Sequence, residues 1–299
     1  MSFRKILKAA YLNIYRTGIF NFIPDNLFIP FQYRMATGKK LNLDNPVTYD
    51  EKLQWIKLYD RNPLYPIIAD KFRVREFVAE KIGDEYLIPL LGVWNSPDEI
   101  DIASLPSQFV IKCNHDSGGI AICHDKAKFN WHKEKKKIQA HFRTNYYTLS
   151  REWAYKDIKP CIIAEKFMQD DETQELRDYK FFCFNGEVKY IQVDFDRFTD
   201  HRRNIYNLNW ELVNLTIKCP NDPARKLKKP ENFDEMIELA SKLSKGFPEL
   251  RVDLYSVNGR TYFGELTIYH GSGFEKFTPE TYNEIFGSYI DLSLCRRSS

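Results

Sequence analysis

Asn-Gly occurs twice in this chain, at Asn185-Gly186 and Asn258-Gly259, each time between runs in which apolar and polar residues alternate. Both residues tolerate positive φ, as a two-residue type I′ turn requires, so each pair marks a tight antiparallel hairpin. The flanking runs predict strands over Tyr179 to Phe184 and Val188 to Val193, then over Val252 to Ser256 and Tyr262 to Thr267. A helix of about Phe233 to Leu243 separates the two hairpins. A third hairpin begins at Phe109, where Phe109, Ile111 and Cys113 alternate with Val110, Lys112 and Asn114. The loop Asp116-Ser117-Gly118-Gly119 then turns the chain into Ile120 to Cys123. An apolar strand, Cys161 to Met168, follows. The class this predicts is α+β with antiparallel sheets.

Upstream the period is helical. Thr48 to Glu51 is a capping box, Leu53, Ile56 and Tyr59 follow on one face, and Pro63 enforces a stop. A second helix is expected over about Ile67 to Ile82, closed by Gly83, with Tyr86 to Val93 extended around Pro89. Ile138, Phe142 and Tyr146 mark a further helix whose run Lys133 to Lys137 is expected to be its solvated face. At 299 residues the chain is about twice a common domain length. The pattern changes divide it into a mainly helical region 1–104, a smaller unit 105–168 and a larger unit 169–299.

Composition excludes several functions. Forty-four Lys and Arg against forty-one Asp and Glu leave a net charge of +3, too balanced for binding driven by nucleic-acid phosphates. No apolar run is long enough to span a bilayer and no secretory leader is recognisable, so a cytoplasmic protein is expected, with room for peripheral contact at the inner face of the membrane. The six cysteines form no C-x-x-C pair, and no disulfide is expected.

The chemistry-bearing residues cluster in three stretches. Lys112 points past a loop whose Ser117, Gly118 and Gly119 let backbone N–H groups approach an anion, one way to hold a polyphosphate. The second stretch ends its strand at Glu165 and Lys166 and resumes, after a polar insertion, with Asp178 and Lys180 among apolar neighbours. In the third, Arg251 and Asp253 share a strand face, as do Glu265 and Thr267 on the hairpin partner. The two carboxylates can therefore converge, in a form suited to magnesium.

Taken together these stretches resemble the ATP-grasp superfamily. DKFRVREFV, LPSQFVIKCNHDSGG, IIAEKFM, DYKFFCFNGEVKYIQVD and YFGELT are similar to the TupA-like ATP-grasp family, associated with teichuronopeptide and capsular polysaccharide biosynthesis. The resemblance covers about residues 25–290. It implies two α+β subdomains clasping ATP, with 105–168 as the lid. Lys71 and Lys112 would contact the phosphates under the Ser117, Gly118 and Gly119 loop. Glu165 and the hinge Lys166, Phe167 and Met168 would meet adenine, and Asp178 the ribose. Asp253 and Glu265 would hold Mg2+, with Thr267 standing where many relatives carry an asparagine ligand. Arg251, Lys112 and Lys180 would be catalytic cations. The activity implied is carboxylate-amine ligation through an acylphosphate, on a sugar acid or polysaccharide precursor with an amine co-substrate.

Other readings stay open at this level. Asp194-Phe195-Asp196 is a D-x-D of the kind that holds the metal of a sugar nucleotide in glycosyltransferases, and a non-catalytic glycan-binding module is a third reading. Arg197, Arg202 and Arg203, with His201, form a basic stretch that could meet an acidic sugar. Cys113, His115, Cys123 and His124 are zinc-type donors, but alternation sends their side chains apart.

Overall fold

The computed structural model describes residues 18–172, 176–196 and 200–297. Helix α1 (Asp25–Thr37) ends at Gly38, and α2 (Tyr49–Tyr59) starts at the expected capping box, Glu51 Oε2 accepting from the Thr48 N–H at 3.1 Å. The single helix expected over Ile67 to Ile82 is broken in two. One turn, Tyr65–Ile68, precedes α3 (Val74–Ile82), because the Asp70 carboxylate accepts from the N–H of Phe72 at 2.8 Å and of Arg73 at 3.2 Å. Such local bonds compete with the helix. The break leaves Lys71 outside any helix, its N–H donating to the Asn114 carbonyl at 2.9 Å.

Four antiparallel strands form the first sheet, β1 (Leu90–Trp94), β2 (Phe109–Cys113), β3 (Ile120–Cys123) and β4 (Ile162–Lys166), in the order β1-β4-β2-β3. Phe109, Ile111, Cys113, Ala121, Cys123, Ile162 and Ala164 form its core with Ile138 of α4 (Trp131–Phe142). The expected boundary at residue 105 therefore falls inside this unit, since β1 belongs to its sheet. Helix α4 stops before Tyr146. Its lysine run is not wholly solvated, because Lys137 Nζ donates to the Ile120 carbonyl at 2.6 Å and Lys135 pairs with Asp98 at 2.7 Å.

The second sheet runs β10-β9-β5-β6-β7, with β5 (Asp178–Phe184), β6 (Glu187–Phe195), β7 (Arg202–Tyr206), β9 (Leu250–Val257) and β10 (Arg260–Thr267); β8 (Thr216–Ile217) pairs separately with β11 (Phe277–Thr278). Both Asn-Gly turns have positive φ at both residues, as type I′ demands. Helix α5 (Phe233–Ser244) covers one face, Phe233 packing on Phe181. On the other face Phe286 of α6 (Thr281–Tyr289) stacks on Tyr190 and meets Phe182 edge-on. Tyr49, Leu53, Ile56, Tyr65 and Val78 belong to this same core. The helical region expected as a separate 1–104 unit is thus shared out: its helices pack with the second sheet and its last strand joins the first.

Candidate active site

Opposed residues in an antiparallel ladder share a face. Asp178 lies opposite Tyr255, Lys180 opposite Asp253, Glu265 opposite Asp253 and Thr267 opposite Arg251, so all six polar side chains emerge on one side of the second sheet. A bulge at Gly264 sets the register of Glu265, and a Cβ there would lie 2.9 Å from the Asp253 carbonyl and 3.0 Å from the Tyr255 ring. Only glycine fits. Facing this side, across a narrow cleft lined by Lys71, Arg75, Lys112, Glu165, Gly264 and Glu265, is the first sheet.

Charge in the cleft is interleaved. Asp253 takes a bidentate pair from Arg251, Nε to Oδ1 at 2.7 Å and Nη2 to Oδ2 at 2.8 Å, and a further bond from Lys180, which also bonds Asp178. Arg251 Nη2 also donates to the Thr267 hydroxyl at 3.0 Å. Lys71 Nζ bridges the two sheets, donating to the Asp116 carbonyl at 2.6 Å and lying 3.4 Å from Glu265. Burial would raise the Glu265 carboxyl, but Lys71, Arg251 and Lys180 outweigh it and hold it below its usual range. Glu265 is accordingly a carboxylate at neutral pH. On the side of the first sheet Lys112 bonds Glu165 at 2.6 Å, and Arg75 reaches the other oxygen of that carboxylate at 3.1 Å.

Behind Arg251 lies a network that sequence reasoning missed. Arg251 Nη1 donates to His270 Nδ1 at 2.8 Å, so His270 Nδ1 must be the acceptor and its proton sits on Nε2, which is 3.2 Å from Glu275. Burial lowers the His270 pKa to about 4, keeping the ring neutral. Burial opposes the charge on Glu275, yet His270, Arg203 and Lys218 drive its pKa far down. His270 stands on a turn in which Ser272 takes a φ of 58°. Left-handed strain of this kind costs about 1–3 kcal/mol. It is opposed by the buried Lys57, which donates to the Ser272 carbonyl at 2.7 Å, its hydroxyl at 2.8 Å and Gln54 Oε1 at 3.1 Å. Hydrogen bonds from a charged donor contribute about 1.5–3 kcal/mol each, enough to hold the turn. Burial pulls the Lys57 pKa down to about 8.

The remaining sequence-predicted residues divide clearly. Gly119 is required for space, since a Cβ would meet Asp116 Oδ1 at 2.8 Å and Cys113 Sγ at 2.9 Å. Its N–H already donates to Asp116, so it is not an anion donor in this state. Gly118 has a φ of 124°, and Ser117 sits against Tyr146. Asp116 is also paired with His141 of α4, which ties the loop to that helix. Of the hinge residues, Lys166 donates its N–H to the Pro89 carbonyl at 2.9 Å. Phe167 packs on His124, and Met168 is buried beside Ile88 and Val257. The Glu165 side chain is turned toward Lys112 and Arg75, a lysine-holding position the sequence did not reveal.

Arg203 corrects its expectation. It is buried, bonding Asp194 at 2.7 Å and Glu275 at 3.0 Å, because it belongs to β7 and not to a solvated loop. Arg202 pairs with Asp200 at the surface, and Arg197 lies outside the described residues. Asp194 is paired with Arg203 and lies 3.2 Å from His201 Nε2, while Asp196 turns away at a φ of 53° toward Arg225, so the D-x-D forms no paired metal site. The zinc donors also diverge. Cys113 faces the Ile138 carbonyl, Cys123 the Ser107 carbonyl, His115 Asn114 and His124 Phe167.

Among the described residues no three His, Cys, Asp or Glu side chains form a ready-made cage. Asp253, Glu265 and Thr267 offer hard oxygen donors, which fits magnesium. That ion usually takes one or two carboxylates and completes its shell with phosphate and water. Asp253 reaches it only by exchanging contacts with Arg251 or Lys180. A second groove, lined by Asp44, Lys52, Trp55, Asp291 and Arg297, contains none of the predicted site residues.

A glycine-looped sheet closing over a face of alternating carboxylates and cations is the architecture of an ATP-grasp enzyme, a class whose cofactors are ATP and magnesium. The chain belongs to the TupA-like ATP-grasp family, whose model matches residues 51–291. No curated protein sequence matches it. Among solved structures it is similar to N5-carboxyaminoimidazole synthetase from Staphylococcus aureus complexed with ADP, at 16% identity and a TM-score of 0.39 over 68% of this chain and 45% of that one. D-alanine-D-alanine ligase from Helicobacter pylori gives 13% and 0.40 over 82% and 67%. D-cycloserine synthetase DcsG gives 13% and 0.44 over 78% and 72%. The chain spans less than half the length of the first of these.

Proposed function

We propose that this protein is an ATP-dependent carboxylate-amine ligase acting on a sugar acid or polysaccharide precursor in cell-surface glycan biosynthesis. A carboxylate oxygen of the acid would attack the γ-phosphorus, the bond to the bridging oxygen would break and ADP would leave. An amine would then attack the acyl carbon of the acylphosphate, releasing phosphate and, on loss of a proton, giving the amide. Such chemistry asks a protein mainly for positioning and charge neutralisation.

The observation that carries the reading is the co-facial set Asp178, Lys180, Arg251, Asp253 and Glu265 opposite Lys112, with Lys71 bridging between. Lys71 and Lys112 would hold the phosphates, Glu165 and Arg75 would orient Lys112, and Asp178 would take the ribose. The Lys166 carbonyl and the Phe167 and Met168 hinge would take the adenine. Arg251, fixed by His270, would meet charge developing on the transferred phosphoryl group, with Lys180 beside it. Magnesium, when bound through Asp253 and Glu265, would neutralise triphosphate charge.

The test is incubation with ATP, magnesium and pooled uronic acids and amines, the acids carrying 18O in the carboxylate. The expected products are ADP, an amide mass, and phosphate bearing one 18O from the acid. ATP-independent release of UDP from UDP-sugars, lost on Asp194→Asn, would instead establish the glycosyltransferase.

A further inference from the structure

Helix α1 buries one face and leaves the other bare. Phe28, Ile29, Gln32 and Tyr33 point into the protein, while Leu27, Phe31 and Met35 are 63%, 56% and 62% exposed and Phe22, just before the helix, is 80% exposed. Leu27, Phe31 and Met35 recur every four residues, so they form one continuous stripe, and Arg34 lies on it, seven residues after Leu27. Scattered exposed hydrophobes need no explanation, but three large ones in one helical stripe, with a fourth exposed just before the helix, do.

The charge along this part of the chain is one-sided. Among the described residues up to Lys40, Arg34, Lys39 and Lys40 stand against a single acid, Asp25, and the sequence before them adds Arg4, Lys5, Lys8 and Arg16 with no acid, although the chain as a whole is almost balanced. Asp25 is turned inward, bonding the Tyr147 hydroxyl at 2.7 Å and facing Arg151 at 3.7 Å. Arg34 and Lys40 are exposed, and Lys39 faces Glu280. A second copy of the chain laid on this stripe would bring these like charges together. An anionic lipid surface would attract them while accepting the apolar side chains. Among the described residues no helix is long and apolar enough to cross a membrane, so the contact would be in the plane of the surface.

We propose that α1 is a membrane-surface docking element that lays Phe22, Leu27, Phe31 and Met35 into the headgroup boundary of an anionic bilayer. The arginine stem can follow, its apolar part lying on lipid and its head among phosphates. The proposal goes beyond the ligase reading and stands apart from it. Its consequence for that reading is geometric. The segment that braces α1, with Leu149 accepting from Gln32 at 2.8 Å and Arg151 donating to the Phe20 carbonyl at 2.6 Å, also carries Tyr146 against Ser117 of the lid loop. Docking would hold the cleft near the bilayer, where a lipid-carried substrate is presented.

The experiment is vesicle flotation of the full chain without ATP, on phosphatidylcholine alone and on phosphatidylcholine containing about a third phosphatidylglycerol. Binding should require the anionic lipid, weaken at high salt, and fall roughly tenfold or more in Leu27→Ser/Phe31→Ser/Met35→Ser. Arg34→Glu/Lys40→Glu, which leaves the stripe intact, should weaken it several-fold, roughly as loss and reversal of surface charge require. Circular dichroism and sedimentation equilibrium accompany each variant. Undiminished binding in both variants would overturn the proposal, as would a lipid-free dimer that the triple variant converts to monomer, which would make the stripe a contact between copies.

Discussion

The two sheets that face each other across the cleft are built on different principles. In the first, a core including Phe109, Ile111, Cys123 and Ile138 lies on one side under α4, and the cleft side carries one charged group of three, Lys112, Glu165 and Arg75, beside a glycine loop. The second is packed on both faces, and its cleft side holds Asp253 and Lys180 at 2% and 7% exposure, interlocked with Arg251, His270, Glu275, Arg203 and Asp194. Where cations and carboxylates fix one another in advance, the rearrangement that substrate binding demands is confined to the exchange of Asp253 contacts that magnesium requires. Where a thin sheet leans on one helix and a glycine turn, closure is inexpensive. We propose from this contrast that the second sheet carries the chemistry and the first the gating.

The sharpest way to break that contrast is to remove charge from each side and compare. Asp253→Asn or Glu265→Gln should cut ATP turnover by roughly a thousandfold or more, with ADP still bound. Asp253→Asn should also destabilise the protein by about 3–5 kcal/mol, because it takes the carboxylate from the buried Arg251 and leaves Lys180 with Asp178 alone. Lys112→Ala should act chiefly on the KM for ATP, raising it about ten- to a hundredfold, and change stability by less than about 1 kcal/mol, since Arg75 still pairs with Glu165. Denaturant melts and steady-state kinetics measured on the same preparations decide both. Equal stability losses on the two sides would dissolve the distinction.

Smaller effects sharpen it. Gly119→Ala should cost about 1–3 kcal/mol of overpacking confined to the lid, visible as faster amide exchange in β2 and β3 than in β5 and β9. His270 supplies a pH signature for the second sheet. Its folded pKa, lowered to about 4 from 6.5, means that the unfolded chain binds the proton first. Stability from this group is thus complete above pH 6.5 and is lost as pH falls toward 4, by up to about 3 kcal/mol. His270→Gln should flatten that part of the stability-pH curve, while a lid substitution leaves it unchanged.

What could be foreseen from the residues follows the same division. Strand alternation and the Asn-Gly turns made the second sheet's central hairpins legible, and with them the shared face of Arg251, Asp253, Glu265 and Thr267, because a period of two fixes which side chains point together. Alternation did not disclose β7, since Arg202 to Tyr206 begins with two arginines and looks like solvated loop until Asp194 and Glu275 are placed against Arg203. His270, Lys57 and Arg75 were invisible for a related reason. Each acts through a partner distant in sequence, Glu275 excepted, and on its own helix or turn none departs from an ordinary pattern. The break at Asp70 was missed because Val74, Phe77 and Val78 are in helical register on their own, and the Asx bond that stops the helix leaves no trace in periodicity.

The central claim is that the cleft between the sheets is a magnesium-ATP site. Calorimetric titration of the full protein with a non-hydrolysable ATP analogue, with and without magnesium, in wild type and Glu265→Gln, tests it most directly. Saturable binding that magnesium strengthens in wild type and no longer strengthens in Glu265→Gln is the predicted result. Binding that is indifferent to magnesium, or a magnesium effect that survives the substitution unchanged, would contradict it.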